Sequence, residues 1–146
     1  MDLNYQVKQG ELKHLEAINK IGIKSANTLG MVLKVELKDH LSQGHILVAE
    51  GDARVYGFLE YGVTKQGHWS LYKTAVALPA RNQGIGSALT QEFIKKATDA
   101  GVKTRLKVTE DNKIAITFYQ KNGYRIVDFE QSKVRKIFIM ERQLWN

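Results

Sequence analysis

An α/β fold is what this chain predicts, and three observations predict it. Some segments alternate apolar and polar residues, others repeat apolar residues at three- and four-residue spacing, and one strand runs through two close glycines into a helix. The 146 residues are the length of one domain, enough to close a single core around a sheet. Hydrophobic residues make up 43% and charged residues 25%, the balance of an ordinary globular protein. Repeats, low-complexity runs and linker-like stretches are missing, so residues 1–146 are expected to form a single unit.

The elements follow in order. Leu3 to Val7 alternates as a first strand, and Glu11 to Ile21 places Leu12, Leu15, Ile18 and Ile21 at helical spacing. Ile23 to Met31 carries no clear pattern, and Leu33 to Leu41 reads as a second short helix that stops before Ser42-Gln43-Gly44. Three antiparallel strands come next: Ile46 to Ala49, Val55 to Val63 and Trp69 to Leu78, joined at Gly51-Asp52 and Lys65-Gln66-Gly67. Pro79 closes the last of these, and Ile85, Leu89, Phe93 and Ala97 then mark one face of a long helix that Gly101 ends. Arg105 to Thr109 makes a strand, Asn112 to Asn122 a helix stopped by Gly123, and Tyr124 to Phe129 and Val134 to Glu141 two final strands.

Composition also excludes. With no cysteine, the chain has no disulfide, no thiolate metal site and no route through a cysteinyl intermediate. No apolar run approaches the roughly 20 residues that span a bilayer, and Met1-Asp2-Leu3-Asn4 opens without a signal-peptide pattern, so a cytoplasmic protein with no membrane contact is expected. The net charge of +7 favours anionic partners, which a polyphosphate cofactor or RNA would both satisfy.

The segment from Val76 to Leu89 is the most informative. Glycines at 84 and 86 let the backbone approach a ligand, and the unpaired amides of the first helical turn suit a pyrophosphate, with Arg81 adding a charged donor. A Walker loop needs a Gly-Lys-Ser/Thr that is missing. The dinucleotide fingerprint needs a third glycine where Leu89 stands, and it opens a parallel βαβ unit rather than following a meander.

Arg81, Gly84 and Gly86 resemble the Arg/Gln-x-x-Gly-x-Gly/Ala cofactor signature of the GNAT superfamily of N-acetyltransferases. Asn112, Ala115, Tyr119, Gly123 and Tyr124 are similar to its second signature, Asn-x-x-Ala-x-x-x-Tyr-x-x-x-Gly-Phe/Tyr, and the two occur in the family's order. The resemblance implies a mixed, mostly antiparallel central sheet of about seven strands flanked by about four helices. It runs strand, two helices, three strands, helix, strand, helix and two strands. It also implies transfer of an acetyl group from acetyl-CoA to a primary amine by direct attack in a ternary complex. Acetyl-CoA would be held at Thr74, Ala75 and Val76, along Arg81, Asn82, Gln83, Gly84, Ile85, Gly86 and Ser87, and at Asn112 and Tyr119.

Asn112 and Tyr119 stand seven positions apart, near two helical turns, and so share a face. A phenol titrating near 10 can give a proton to a departing thiolate, and the resemblance implies that Tyr119 is the general acid; the plainer alternative is a packed aromatic. Asn112 also suits an N-cap. The strand from Trp69 to Val76 carries no carboxylate, which leaves Glu60 as the candidate general base, with a solvated strand residue as its alternative. His14, His40, His45 and His68 show no metal-ligand spacing, so surface or capping roles and no metal are expected. Lys103, Arg105 and Lys107 read as a solvated strand face. The acceptor is not legible: a metabolite, a peptide amine, an aminoacyl-tRNA and a drug all remain open. So does a non-catalytic acyl-CoA or nucleic-acid binding role, and a monomer or homodimer is expected.

Overall fold

The computed structural model of the protein describes residues 3–24 and 34–143. The unpatterned stretch 25–31 and the expected helix start at Leu33 lie outside the described residues.

Seven strands form one mixed sheet: β1 (Gln6–Gln9), β2 (Ile46–Gly51), β3 (Arg54–Val63), β4 (Trp69–Val76), β5 (Thr104–Thr109), β6 (Arg125–Gln131) and β7 (Lys136–Arg142). Their order across the sheet is β1-β2-β3-β4-β5-β7-β6. The β1/β2, β2/β3, β5/β7 and β6/β7 ladders are antiparallel. The ladder between β4 and β5 is parallel and short, pairing Trp69–Leu71 with Thr104–Leu106. Four α-helices are described: α1 (Leu15–Lys24), α2 (Lys34–Gln43), α3 (Ile85–Asp99) and α4 (Lys113–Lys121). This is the predicted order of elements. Among the described residues no helix is long and apolar enough to cross a membrane.

Three boundaries differ from the sequence reading, each for a local reason. The first strand lies at Gln6–Gln9 rather than Leu3–Val7, because its register is set by β2, where Gln9 meets Leu47. The first helix opens as a 3-10 turn, Leu12–His14. There His14 folds back so that Nδ1 accepts from the Glu11 N–H at 2.9 Å, which sharpens the turn. β4 ends at Val76 and not Leu78, since Pro79 sits in a 3-10 turn over Leu78–Ala80.

The chain groups into two compact units. The first comprises Met1–Gly62 with Lys73–Phe93, the second Val63–Tyr72 with Ile94–Asn146. In the first, Ile18 and Ile21 of α1 and Leu37 and Leu41 of α2 pack on Ile46, Val48, Phe58 and Ala75 of the sheet. Ile85, Leu89 and Phe93 of α3 are also buried there, the face that the four-residue spacing marks. In the second unit Leu106, Val108, Ile116, Tyr124, Ile139 and Met140 are buried.

Candidate functional site

In the first unit, β4 leads through the 3-10 turn and a glycine loop into α3. The loop needs a left-handed backbone at two points, Asn82 (φ 65°) and Gly84 (φ 78°). Asparagine and glycine are the residues that reach this region at least cost. Ala88 N–H donates to Gly84 O at 3.0 Å, the first bond of the helical ladder. The amides of Ile85, Gly86 and Ser87 precede it, in the turn that has no acceptor within the helix. No acidic residue stands in that first turn to compete for them.

A cavity of about 340 Å³ opens over this helix start. One wall is the end of β4, Thr74, Ala75 and Val76, and the other is the loop, through Arg81, Asn82, Gly84, Ile85 and Gly86. The structure therefore joins eight of the expected cofactor residues at one place, with Gln83 and Ser87 exposed beside them. Arg81 holds its side chain over the loop by donating from Nε to Val76 O at 3.2 Å. Gly86 leaves open space, since a Cβ there would meet only Val76 Cγ2, at 3.9 Å. The buried Thr74 Oγ1 has no hydrogen-bond partner among the described residues, although Thr74 lines the cavity. A buried hydroxyl without a partner costs free energy that a ligand's amide or carbonyl would recover. The wall of strand backbone and small residues thus fits a pantetheine arm, and the glycine-lined helix start fits a pyrophosphate.

Gly57 was not singled out by sequence reasoning. It sits on β3 against the same cavity wall, where the meander pattern offers no hint that a glycine is required.

Tyr119 and Asn112 belong to the second unit. Asn112 caps α4, its Oδ1 accepting from Ala115 N–H at 3.2 Å, as its residue type suggests. Tyr119 is half-buried. Its ring meets Phe118 edge-on with centroids 5.3 Å apart and Tyr124 at 5.6 Å. Burial raises the Tyr119 pKa above the ordinary phenol value. Burial pushes Tyr124 up to about 12, against a Thr104 hydrogen bond that lowers it.

Glu60 is not a solvated strand residue. It is 1% exposed, pairs with His40 Nδ1 through Oε2, and has Lys73 Nζ 3.9 Å from Oε1. Surface or capping roles are expected for the histidines, and His14 fills a capping one at Glu11, but its ring is buried against a partner distant in sequence. His14 is 3% exposed, and its Nε2 donates to Glu50 at 2.8 Å. Hydrogen bonds from Lys8 and then His14 lower the Glu50 pKa. His45 stacks on Tyr61, centroids 5.1 Å apart, and burial and then the charge of His40 lower its pKa. The basic row of Lys103, Arg105 and Lys107 is likewise only partly a solvated face. Lys107 is exposed, while Arg105 and Lys103 both reach the buried carboxylate of Glu141. Among the described residues no group of histidines and carboxylates is arranged to hold a metal ion.

Residues 16–124 match the family model described as the acetyltransferase (GNAT) family. The chain belongs to that family. Its fold is that of the acyl-CoA-dependent N-acyltransferases. Over 56 residues, 38% of this chain, it is 43% identical to the uncharacterized protein YdhI of Bacillus subtilis (strain 168), and that stretch spans 35% of YdhI. Among solved structures it is similar to Ard1 from Thermoplasma volcanium, with a TM-score of 0.83 and 23% identity over 96% of this chain and 97% of that one. It is also similar to YncA from Salmonella typhimurium, solved with acetyl-CoA, with a TM-score of 0.82 and 15% identity over 99% of this chain and 96% of that one. At these identities the likeness speaks for the GNAT fold.

Proposed function

We propose that the protein transfers the acetyl group of acetyl-CoA to a primary amine by direct attack in a ternary complex. The observation that carries this reading is the cavity at the α3 start, where glycine-lined amides, Arg81 and the unpartnered Thr74 hydroxyl converge. The loop amides and the guanidinium would hold the pyrophosphate, and the β4 edge from Thr74 to Val76 would align the pantetheine amides.

The acceptor's neutral nitrogen attacks the thioester carbon; a C–N bond forms, and the C–S bond breaks with its electron pair going to sulfur. Tyr119, a phenol whose pKa burial raises further, is proposed to supply the proton that the leaving thiolate takes. Asn112 is proposed to contact the cofactor in addition to capping α4. The absence of cysteine is consistent with direct transfer, since no cysteinyl intermediate can form.

The test is calorimetric titration of acetyl-CoA into the protein, followed by a screen of small amines, peptide N-termini and aminoacyl-tRNA that follows free thiol release. Micromolar binding and acceptor-dependent thiol release are expected. No binding would overturn the cofactor assignment, and binding without any acceptor would favour a sensor role.

A further inference from the structure

Beside the glycine loop, the first unit holds another cavity, of about 450 Å³, which the chemistry written so far leaves unused. α1 gives it Lys20, Ile21 and Lys24, and the segment that leaves β4 gives it Leu78, Pro79 and Arg81. Val76 and Arg81 line both this cavity and the one proposed for acetyl-CoA, so the two adjoin at the end of β4. We propose that it takes the 3′-phosphoadenosine of the acyl donor, with Lys20 and Lys24 on the 3′-phosphate. The proposal rests on the acetyl-CoA reading above and adds a means of telling coenzyme A from a donor that lacks this phosphate.

Charge supports it. Lys20 and Lys24 stand four positions apart on α1, hence on one face, where two like charges repel. Neither forms an ion pair among the described residues; Glu16, one turn before Lys20, pairs with Lys34 instead. Every charged residue lining the cavity is a cation. A phosphate monoester carries about −1.5 to −2 charges at neutral pH and accepts through three oxygens, so it relieves that repulsion. The rest of the lining suits a purine: Ile21 is buried, and Leu78, 69% exposed, would lose apolar surface to water beneath a base.

Placement agrees with the order of groups in the donor. Its pyrophosphate joins the pantetheine arm to the 5′ carbon of adenosine, so the nucleoside leaves the pyrophosphate on the side away from the arm. The cavity meets β4 only at its last residue, Val76, and continues along the segment that follows, away from Thr74. The nucleoside thus passes from one cavity to the other beside Arg81, whose Nε is held on Val76 O at 3.2 Å. Solvated lysines beside an apolar hollow are the competing explanation, and they predict no preference between donors.

The experiment needs no acceptor. Acetyl-CoA and 3′-dephospho-acetyl-CoA are titrated calorimetrically into the whole protein as wild type, as the double variant Lys20→Gln/Lys24→Gln and as Leu78→Ala, each first shown to be folded by thermal melting. Wild type should bind acetyl-CoA roughly 10-fold or more tightly than the dephospho form. The double variant should bind the two alike, close to the wild-type affinity for the dephospho form, because only the contact to the missing phosphate is lost. Leu78→Ala should weaken both to the same extent, since both carry the adenine. Equal affinity of wild type for the two donors, or a preference that survives in the double variant, would overturn the proposal while acetyl-CoA binding itself stands. Leu78→Ala binding both as wild type does would overturn the placement of the base. Binding of neither donor would overturn the acetyl-CoA reading along with this one.

Discussion

Gly57 on β3 stands where a Cβ would come within 2.9 Å of the Ala75 carbonyl oxygen and 3.2 Å of Ile85 Cγ2. The obstacle is backbone, which cannot swing aside as a side chain would. Gly57→Ala should therefore push β4 or the start of α3 outward, costing about 1–3 kcal/mol. Urea unfolding would measure this, and acetyl-CoA affinity should fall with it because the displaced carbonyl belongs to the cavity wall. A variant as stable and as tightly binding as wild type would contradict the argument.

Gly84 and Gly86 should respond differently, although both belong to one motif. Gly84 has φ 78°, so Gly84→Ala should cost about 1–2 kcal/mol through backbone strain alone. Gly86 has no such φ and open space, so Gly86→Ala should fold normally. Gly86→Glu should fold as well, but its bulk and negative charge would exclude a pyrophosphate. Calorimetry showing undiminished acetyl-CoA binding by a folded Gly86→Glu protein would remove the loop from the cofactor site.

Tyr119→Phe deletes one oxygen and leaves the edge-on contacts with Phe118 and Tyr124 in place. If the hydroxyl is the acid, kcat should drop roughly 10²–10⁴-fold with little change in acetyl-CoA affinity. Because burial raises the Tyr119 pKa above 10, the protonated acid persists to higher pH than an exposed phenol would allow. The wild-type rate should accordingly show no alkaline loss from this group below about pH 10. Nearly full kcat in the variant, with chemistry rate-limiting, would return Tyr119 to packing alone.

Glu141 gives a pH-dependent test of stability. Burial raises its pKa, but the hydrogen bond and charge of Arg105 and the charge of Lys103 outweigh burial and leave it below the ordinary glutamate value. The ionised form is therefore favoured by folding. Its contribution is present above the unfolded pKa and is lost as pH falls through the depressed folded value. Glu141→Gln should be less stable than wild type at pH 7 by about 1–3 kcal/mol, since Arg105 and Lys103 lose a charged acceptor. The gap should narrow below about pH 4. Urea unfolding at the two pH values checks it, and a gap that widens in acid would reverse the sign.

What was legible in the sequence was whatever depends on near neighbours. Ile85, Leu89 and Phe93 recur every four residues, and the structure buries all three. Asn112 precedes its helix, and it caps it. The glycine loop announces a turn and an exposed helix start through residue types alone. What was hidden depends on partners brought together by the sheet. Glu60 and His40 are 20 positions apart, and His14 and Glu50 are 36 apart, so no local spacing could mark either pair. Gly57 looks like any glycine in a strand until β4 is laid beside it. A buried charge in the middle of β3 was the one available signal: Glu60 interrupts Phe58-Leu59 and Tyr61, all of which are buried.

The glycine loop's donors toward a ligand are mostly main-chain amides, joined by one guanidinium at Arg81. Neither kind of group changes charge between mild acid and strong base. A polyanion seated there would be held with nearly constant strength across that range, apart from its own titration. Any sensitivity of turnover to pH would then have to arise elsewhere, at the acceptor amine and at whichever groups move protons, so capture of the acyl donor and use of it would answer to different conditions.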